Sequence, residues 1–229
     1  MIEASGFGCS TSPTAAMLPA RPCRLRVTFA KTAPVQYCSH LDLARVWERA
    51  LRRAGLPLVY SRGFNPRPRL QLAAALPLGH TGAAELLDVW LACPVAAAEA
   101  RARLAGVLPA GLSADLVEEV PLEAPALQAL IAAAEYVVTV EWDEPAAHVE
   151  ARIARLLGLS ELPLDQRGRR SDLRPLIEGL WLESALAGQV RLKMRLAARA
   201  GATARPEAVL EALGLGKAFA RFHRERLVW

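Results

Sequence analysis

Lysine is almost missing from this 229-residue chain: of 28 basic residues only Lys31, Lys193 and Lys217 are lysines, and the other 25 are arginine. Arginine offers phosphate a planar two-point contact that lysine does not, although GC-rich coding produces the same bias. Cysteine is scarce as well. Cys9, Cys23, Cys38 and Cys93 contain no C-x-x-C pair and no closely spaced triple. That spacing excludes a zinc ribbon, a dithiol redox motif and an iron–sulfur site, and leaves free thiols in a reducing, cytoplasmic setting. No apolar run reaches the roughly 18 residues of a membrane-spanning helix. Met1–Ala20 has no basic start and no continuous apolar core, so it does not read as a secretory signal. Its Gly/Ser/Thr/Pro-rich composition reads as a disordered extension, residues 1–20, with Met17 an alternative start. No phosphate-binding Gly-rich loop, dinucleotide fingerprint, zincin helix or nucleophile elbow is present, and no cofactor or metal is implied.

What is there is a core-forming composition, 53% hydrophobic and 22% charged, enough for one mid-sized domain or two small ones. The formal charge is only +5, but it is unevenly spread. Residues 21–70 hold 11 basic against 2 acidic side chains, residues 71–164 hold 4 against 13, and residues 165–229 hold 13 against 7. Two basic regions flank an acidic middle. If the basic regions meet in space they make a face suited to a polyanion such as RNA; otherwise acidic and basic faces satisfy each other.

Periodicity gives one pattern twice. Arg24–Lys31 alternates as a strand with Leu25, Val27 and Phe29 on one side. Ser39 opens a helix with Asp42 three residues on, and Leu43, Val46, Trp47, Ala50, Leu51 and Ala54 form its apolar stripe before Gly55 and Pro57 stop it. Leu70–Leu76 and Glu85–Ala92 read as strands joined across residues 77–84, Val95–Val107 as a helix and Ser113–Val120 as a strand. The second pass reads Glu135–Trp142 strand, Pro145–Leu157 helix, a weak strand near Leu162–Arg167, a short helix Leu173–Leu180, Gln189–Ala197 strand, Pro206–Leu213 helix and Phe219–Trp229 strand. The expected fold class is α+β, tandem ferredoxin-like (βαββαβ) halves at residues 22–120 and 135–229, with 121–134 as connector.

The stretch Ser39–Gly79, SHLDLARVWERALRRAGLPLVYSRGFNPRPRLQLAAALPLG, followed by Glu85 and Asp88 in ELLDVWL, resembles the DUF2344 family of uncharacterised bacterial proteins, described as radical-SAM-linked. SDLRPLI at 171–177, ARPEAVLEALGL at 204–215 and FHRERL at 222–227 agree with it. The resemblance implies a partner, a separately encoded radical SAM enzyme, because members occur alone or fused behind such enzymes. This sequence has no C-x-x-x-C-x-x-C motif with which to hold that cluster itself. The double ferredoxin-like reading also resembles RNA-processing proteins of the CRISPR repeat-cleaving type, an analogy of fold that transfers no activity.

Arg45, Arg49, Arg52 and Arg53 fall on one stripe of the first helix, opposite Leu43, Trp47 and Leu51, where they can track phosphates or form an ordinary solvated face with Glu48. The loop Ser61–Arg69 gathers Arg62, Phe64, Asn65, Arg67 and Arg69 around Gly63 and two prolines that hold it extended. Either Phe64 stacks on an unpaired base while the arginines take phosphates, or it plugs the core. His40, at the first helical position, is the candidate general base, or simply a local hydrogen-bonding group. Arg221, His223 and Arg224 lie in the last strand, and Arg167, Arg169 and Arg170 form a basic loop tip. His80 and His148 carry no signal. Glu85 and Asp88, three apart in a strand, point to opposite faces, so they are read as salt-bridge partners and not as a catalytic pair.

Three function classes follow: an RNA-binding or substrate-presenting module without its own cluster, acting in RNA modification or maturation; a metal-independent RNA-processing enzyme using His40; and a protein-interaction subunit of a radical SAM system. The first is the preferred reading.

Overall fold

The computed structural model describes residues 21–166, 169–186 and 188–229. The first run comprises β1 (Cys23–Lys31), α1 (His40–Arg53), β2 (Leu70–Leu72), β3 (Thr81–Leu91), α2 (Ala97–Ala105) and β4 (Leu112–Val120). A short helix, α3 (Leu127–Leu130), leads to the second run. That run begins with β5 (Ala133–Glu141), α4 (Ala146–Leu157), β6 (Pro163–Gln166) and β7 (Arg169–Asp172). It continues through β8 (Ile177–Leu186), β9 (Gln189–Arg199), β10 (Ala202–Thr203), α5 (Pro206–Ala212) and β11 (Ala220–Val228).

The result is a mixed α/β fold around one large, mostly antiparallel sheet. In the first run β1 lies between β4 and β3, and β2 pairs with the C-terminal half of β3. In the second, β5 lies between β11 and β9, and β8 pairs with β9. Both runs therefore have the spatial order fourth, first, third, second strand. The two sheets become one along a short parallel seam, where His223 and Arg224 of β11 stand beside Thr81 and Gly82 of β3.

Strand alternation decides the faces. Leu25, Val27 and Phe29 of β1 join Leu87, Val89 and Leu91 of β3 in one core beneath α1, with the Phe29 ring edge-on to Trp47 at 5.0 Å. Tyr136, Val138 and Val140 of β5 join Leu192, Met194 and Leu196 of β9 in the other core, with Val149 and Ile153 of α4 and Val209 of α5. Register puts Glu85 opposite Phe29, on the α1 face, and Asp88 opposite Arg26, on the other. Both acids are ion-paired, as expected: Asp88, fully buried, takes Arg24 and Arg26, and Glu85 takes Arg224. Arg24 also donates to the carbonyls of Ala124 and Pro125, which ties the segment ahead of α3 to β1.

Three expectations need correction. Leu173–Leu180 is not a helix; a 3-10 turn over Arg174–Leu176 runs directly into β8. The strand near Leu162–Arg167 exists as β6, but it pairs only with β7 in a separate hairpin, and β8 supplies the second strand of this run. Between residues 70 and 92, β2 keeps only three residues and β3 begins at Thr81, taking in the second half of what read as the connecting segment. Residues 1–20 lie outside the described residues.

Candidate functional site

Helix α1 forms where its sequence caps it. The Ser39 hydroxyl accepts the Asp42 amide at 3.2 Å, satisfying one of the four amides that a helix start leaves unpaired. Asp42 is in turn held by Ser39 and Arg45, which keep its carboxyl below the usual range, the Ser39 hydrogen bond being the main cause. The approach to the cap is fixed from beneath. Lys31, fully buried, donates to the carbonyls of Gln36 (2.9 Å) and Cys38 (3.1 Å), and burial holds its ammonium below the usual lysine range.

Burying Leu43, Trp47, Ala50 and Leu51 turns the opposite stripe of α1 to solvent. The loop after α1 returns along it. Val59 and Tyr60 pair back with Pro68 and Arg69 through Tyr60–Pro68 bridging and the Arg69 N to Val59 O bond at 2.7 Å. Ser61 closes the loop, accepting the Arg67 amide on its hydroxyl and donating its own amide to the Arg67 carbonyl at 2.8 Å. The prolines therefore do not prevent pairing; Pro66 sits in the loop and Pro68 buries its ring, so the ladder forms around them. Gly63, at φ 142°, makes the turn at the tip.

This brings loop and helix together. Arg45, Arg49 and Arg52 of α1 and Asn65, Pro66 and Arg67 of the loop line a groove of about 490 Å³, with Glu48 its one acid. Arg52 lies 6.0 Å from the centre of the Tyr60 ring, and its contact with Glu48 is long, 3.8 Å. Phe64 is wholly solvent-exposed at the tip (relative exposure 106%), so it does not plug the core. Arg62 is exposed on the same loop, and Arg53 is exposed on α1 beyond the groove lining.

The remaining candidates lie elsewhere. Arg69 stacks 4.3 Å from the centre of the Trp90 ring, whose other contact is Arg24 at 4.8 Å, in a hollow on the far side of the sheet from α1. Arg224 does not join an exposed basic surface: it is buried, donates Nε to Glu85 at 2.8 Å, and reaches the carbonyls of Ala74 and Ala75. Burial alone would lower the Arg224 guanidinium; the adjacent Glu85 carboxylate more than reverses this and holds it charged. Neighbouring positions of β11 alternate, so Arg221 and His223 project to the face opposite Arg224. His223 is engaged through Nδ1 with the Thr81 hydroxyl at 2.8 Å, and Arg221 lies 5.8 Å from the Phe219 ring. Arg221, His223 and Arg224 thus do not join the groove lining. Arg167 lies outside the described residues, as do the side chains of Arg169 and Arg170. His40 stands at the head of α1 beside a second cleft, away from the groove lining.

Sequence reasoning passed over His80. It is 2% exposed, bonded through Nε2 to Glu207 at 2.9 Å and stacked on Phe222 at 4.6 Å. Burial raises Glu207, but the His80 bond and nearby charges more than offset it, leaving the carboxyl below the usual range. The partners are 127 residues apart, so no local pattern announces them. Tyr60, whose ring lies beside Arg52, was also missed, because the turn after α1 that brings it back to the helix is not marked by any periodic pattern.

Among solved structures the chain is similar to an H/ACA RNP bound to a substrate RNA containing 2′-deoxyuridine, at 13% identity and a TM-score of 0.49, covering 89% of this chain and 47% of that one. It is likewise similar to a Cbf5–Nop10–Gar1 complex (12%, 0.48, 89% and 48%) and to an archaeal box H/ACA sRNP Nop10–Cbf5 complex (14%, 0.48, 89% and 47%). The chain spans just under half the length of those it matches. No curated protein matches it. No helix among the described residues is long and apolar enough to cross a membrane. The family model that does match runs from residue 24 to residue 206, from the first strand to the head of α5, and on that span the chain belongs to DUF2344, a family of uncharacterised proteins conserved in bacteria.

Proposed function

We propose that this chain is a binding module for single-stranded RNA that carries no catalytic centre of its own. The observation that supports this is the groove: four arginines, Arg45, Arg49, Arg52 and Arg67, line it with one acid, Glu48, Arg45 being also paired with Asp42 outside the lining, and a fully exposed Phe64 stands on the loop that forms its wall. A positive track beside an exposed aromatic is what an unpaired strand requires, phosphates being held by charge and a base by stacking. The wider reading has three further parts: two ferredoxin-like halves at residues 22–120 and 135–229, a cytoplasmic setting, and presentation of the bound RNA to a separately encoded radical SAM enzyme. The last part rests on the resemblance carried by the SHLDL and GFNP blocks.

The test is anisotropy of a fluorescent 12-nucleotide single-stranded RNA titrated with the purified chain and with the variant R45E/R49E/R67E. Binding that weakens steeply with salt in the wild type and falls at least tenfold in the variant is the expected result. Equal affinity in the two proteins overturns the reading. Co-purification from cells with and without ribonuclease then addresses the partner: a radical SAM enzyme recovered only when RNA is intact fits presentation, and an unrelated protein retained after ribonuclease fits an interaction subunit instead.

A further inference from the structure

A cleft of about 630 Å³, separate from the basic groove, lies where the two runs meet. Its floor is Tyr136 of β5 and Arg224 of β11. One wall is the Ala73–Leu78 segment that follows β2, the other the turn from Ala198 to Arg205 between β9 and α5, and Ser39 and His40 at the head of α1 close one end. Alanine recurs along both walls, Ala73, Ala74 and Ala75 on one and Ala198, Ala200 and Ala204 on the other. Small side chains on both sides leave flat apolar surfaces, and the volume lies in the range that encloses most of a small organic ligand.

The polar groups of this cleft are of one sign. None of its lining residues is an aspartate or glutamate, whereas Arg199, Arg205 and Arg224 all contribute. Arg224 is spent on Glu85. Arg199 reaches Glu178 only at 3.9 Å, and the Arg205 side chain has no ion pair or hydrogen bond among the described residues. Of the carboxylates nearby in sequence, Asp42 is held by Ser39 and Arg45, and Glu207 is held through Oε1 by His80 while its Oε2 has no partner among the described residues and its charge lies near Arg205. Beside the positive end of α1, the Nδ1 of His40 is buried without a hydrogen-bond partner among the described residues. An anion at the mouth would meet two available guanidiniums. A bare inorganic anion would leave most of the cavity and its apolar walls unfilled.

We infer that this cleft binds a phosphorylated nucleoside unit, its phosphate at Arg205 and Arg199 and its flat body between the alanine walls over Tyr136. The residues differ from those of the groove, so the inference stands or falls apart from the reading of that surface. The unit has two possible sources, a free nucleotide or the 5′ end of a strand, and both present the same chemistry.

Calorimetric titration with the four ribonucleoside 5′-monophosphates, with inorganic phosphate, and with a 5′-phosphorylated tetranucleotide and its unphosphorylated counterpart tests this. The variants are R205E, at an exposed position, A75W, which fills the cleft from an exposed wall residue, and R49E in the groove. Saturable binding of at least one monophosphate, tenfold or more tighter than inorganic phosphate, is expected. R205E should weaken it at least tenfold and R49E should leave it within twofold; if A75W folds, as judged by its circular dichroism, it should weaken binding equally. Tetranucleotide binding that needs the 5′-phosphate and the same Arg205, without binding of free monophosphates, also supports the site and identifies the strand end as its source. No saturable binding of any probe, inorganic phosphate binding as tightly as nucleotides, or binding indifferent to R205E overturns the inference.

Discussion

Arg224 and Glu85, 139 residues apart, form a two-point ion pair across the seam that joins β11 to β3, both nearly free of solvent. The pair locks one run of the chain to the other, and two further donors of Arg224 are taken by the Ala74 and Ala75 carbonyls. Removing either partner strands the other charge in a buried site, a loss of about 3–5 kcal/mol. Urea unfolding of E85Q and of R224A should show unfolding free energies lowered by that much, with the double variant E85Q/R224M recovering part of the loss because no charge is left unpaired. Full stability of E85Q would contradict the burial described.

Phe64 makes the opposite prediction. It is entirely solvent-exposed, so F64A should leave the unfolding midpoint unchanged. If a base stacks on it, the same substitution weakens single-stranded RNA binding by about 1–3 kcal/mol, roughly fivefold to a hundredfold. Anisotropy and chemical denaturation on one preparation separate the two effects.

Salt dependence counts the phosphate contacts. Each guanidinium that neutralises a phosphate of a single strand contributes about 0.7 to the slope of log affinity against log salt. R49A and R67A should each flatten the slope by about that amount, and R221A, on the opposite sheet face, should not change it. A slope altered equally by R221A would mean that charge anywhere on the surface suffices.

Glu135 bridges the cross-strand neighbours Arg195 and Arg226, accepting the Arg226 Nε at 2.6 Å. The Arg226 hydrogen bond is the main reason that its carboxyl sits below the ordinary glutamate range. A carboxyl depressed in the folded state contributes stability that is complete above its unfolded pKa and is lost as pH falls through the folded one. Thermal unfolding from pH 6 down to pH 3 should therefore show a shallower acid decline in E135Q than in the wild type, with the two curves converging at the acid end.

The Ser39 cap is the fifth test. S39A removes the acceptor for the Asp42 amide and should cost about 1 kcal/mol, while S39D should restore most of it.

Much of this fold was legible because its signals are local. Leu25, Val27 and Phe29 alternate, and the Ser39 cap and the Leu43–Trp47–Leu51 stripe delimit α1 almost to the residue. Residues 173–180 were misread for a physical reason. Leu173, Leu176, Ile177 and Leu180 are spaced as on a helix, yet the first comes from the coil, the second from a 3-10 turn and the last two from a strand whose register slips between Ile177 and Gly179. A turn and a bulge together imitate the helical period. The arginine stripe and the loop were each visible as patterns, but their meeting in one groove was not, because Asn65 and Arg67 reach α1 only through the Tyr60–Pro68 pairing. Arg224 read as another surface arginine since its partner Glu85 is a long-range acquaintance, and composition says nothing about which arginines are spent internally.

The seam has a consequence for substitution at Gly82. The Glu85 side chain folds back over Gly82, so a Cβ added there would stand 2.5 Å from one carboxylate oxygen and 2.9 Å from Cγ. Position 82 is thus kept bare by a charge three residues downstream, and that charge is kept in place by an arginine near the other end of the chain. A side chain at position 82 therefore requires the Glu85 carboxylate to move, and a displaced carboxylate leaves the buried Arg224 guanidinium without its partner, so the cost of a substitution at position 82 is felt at the far end of the chain.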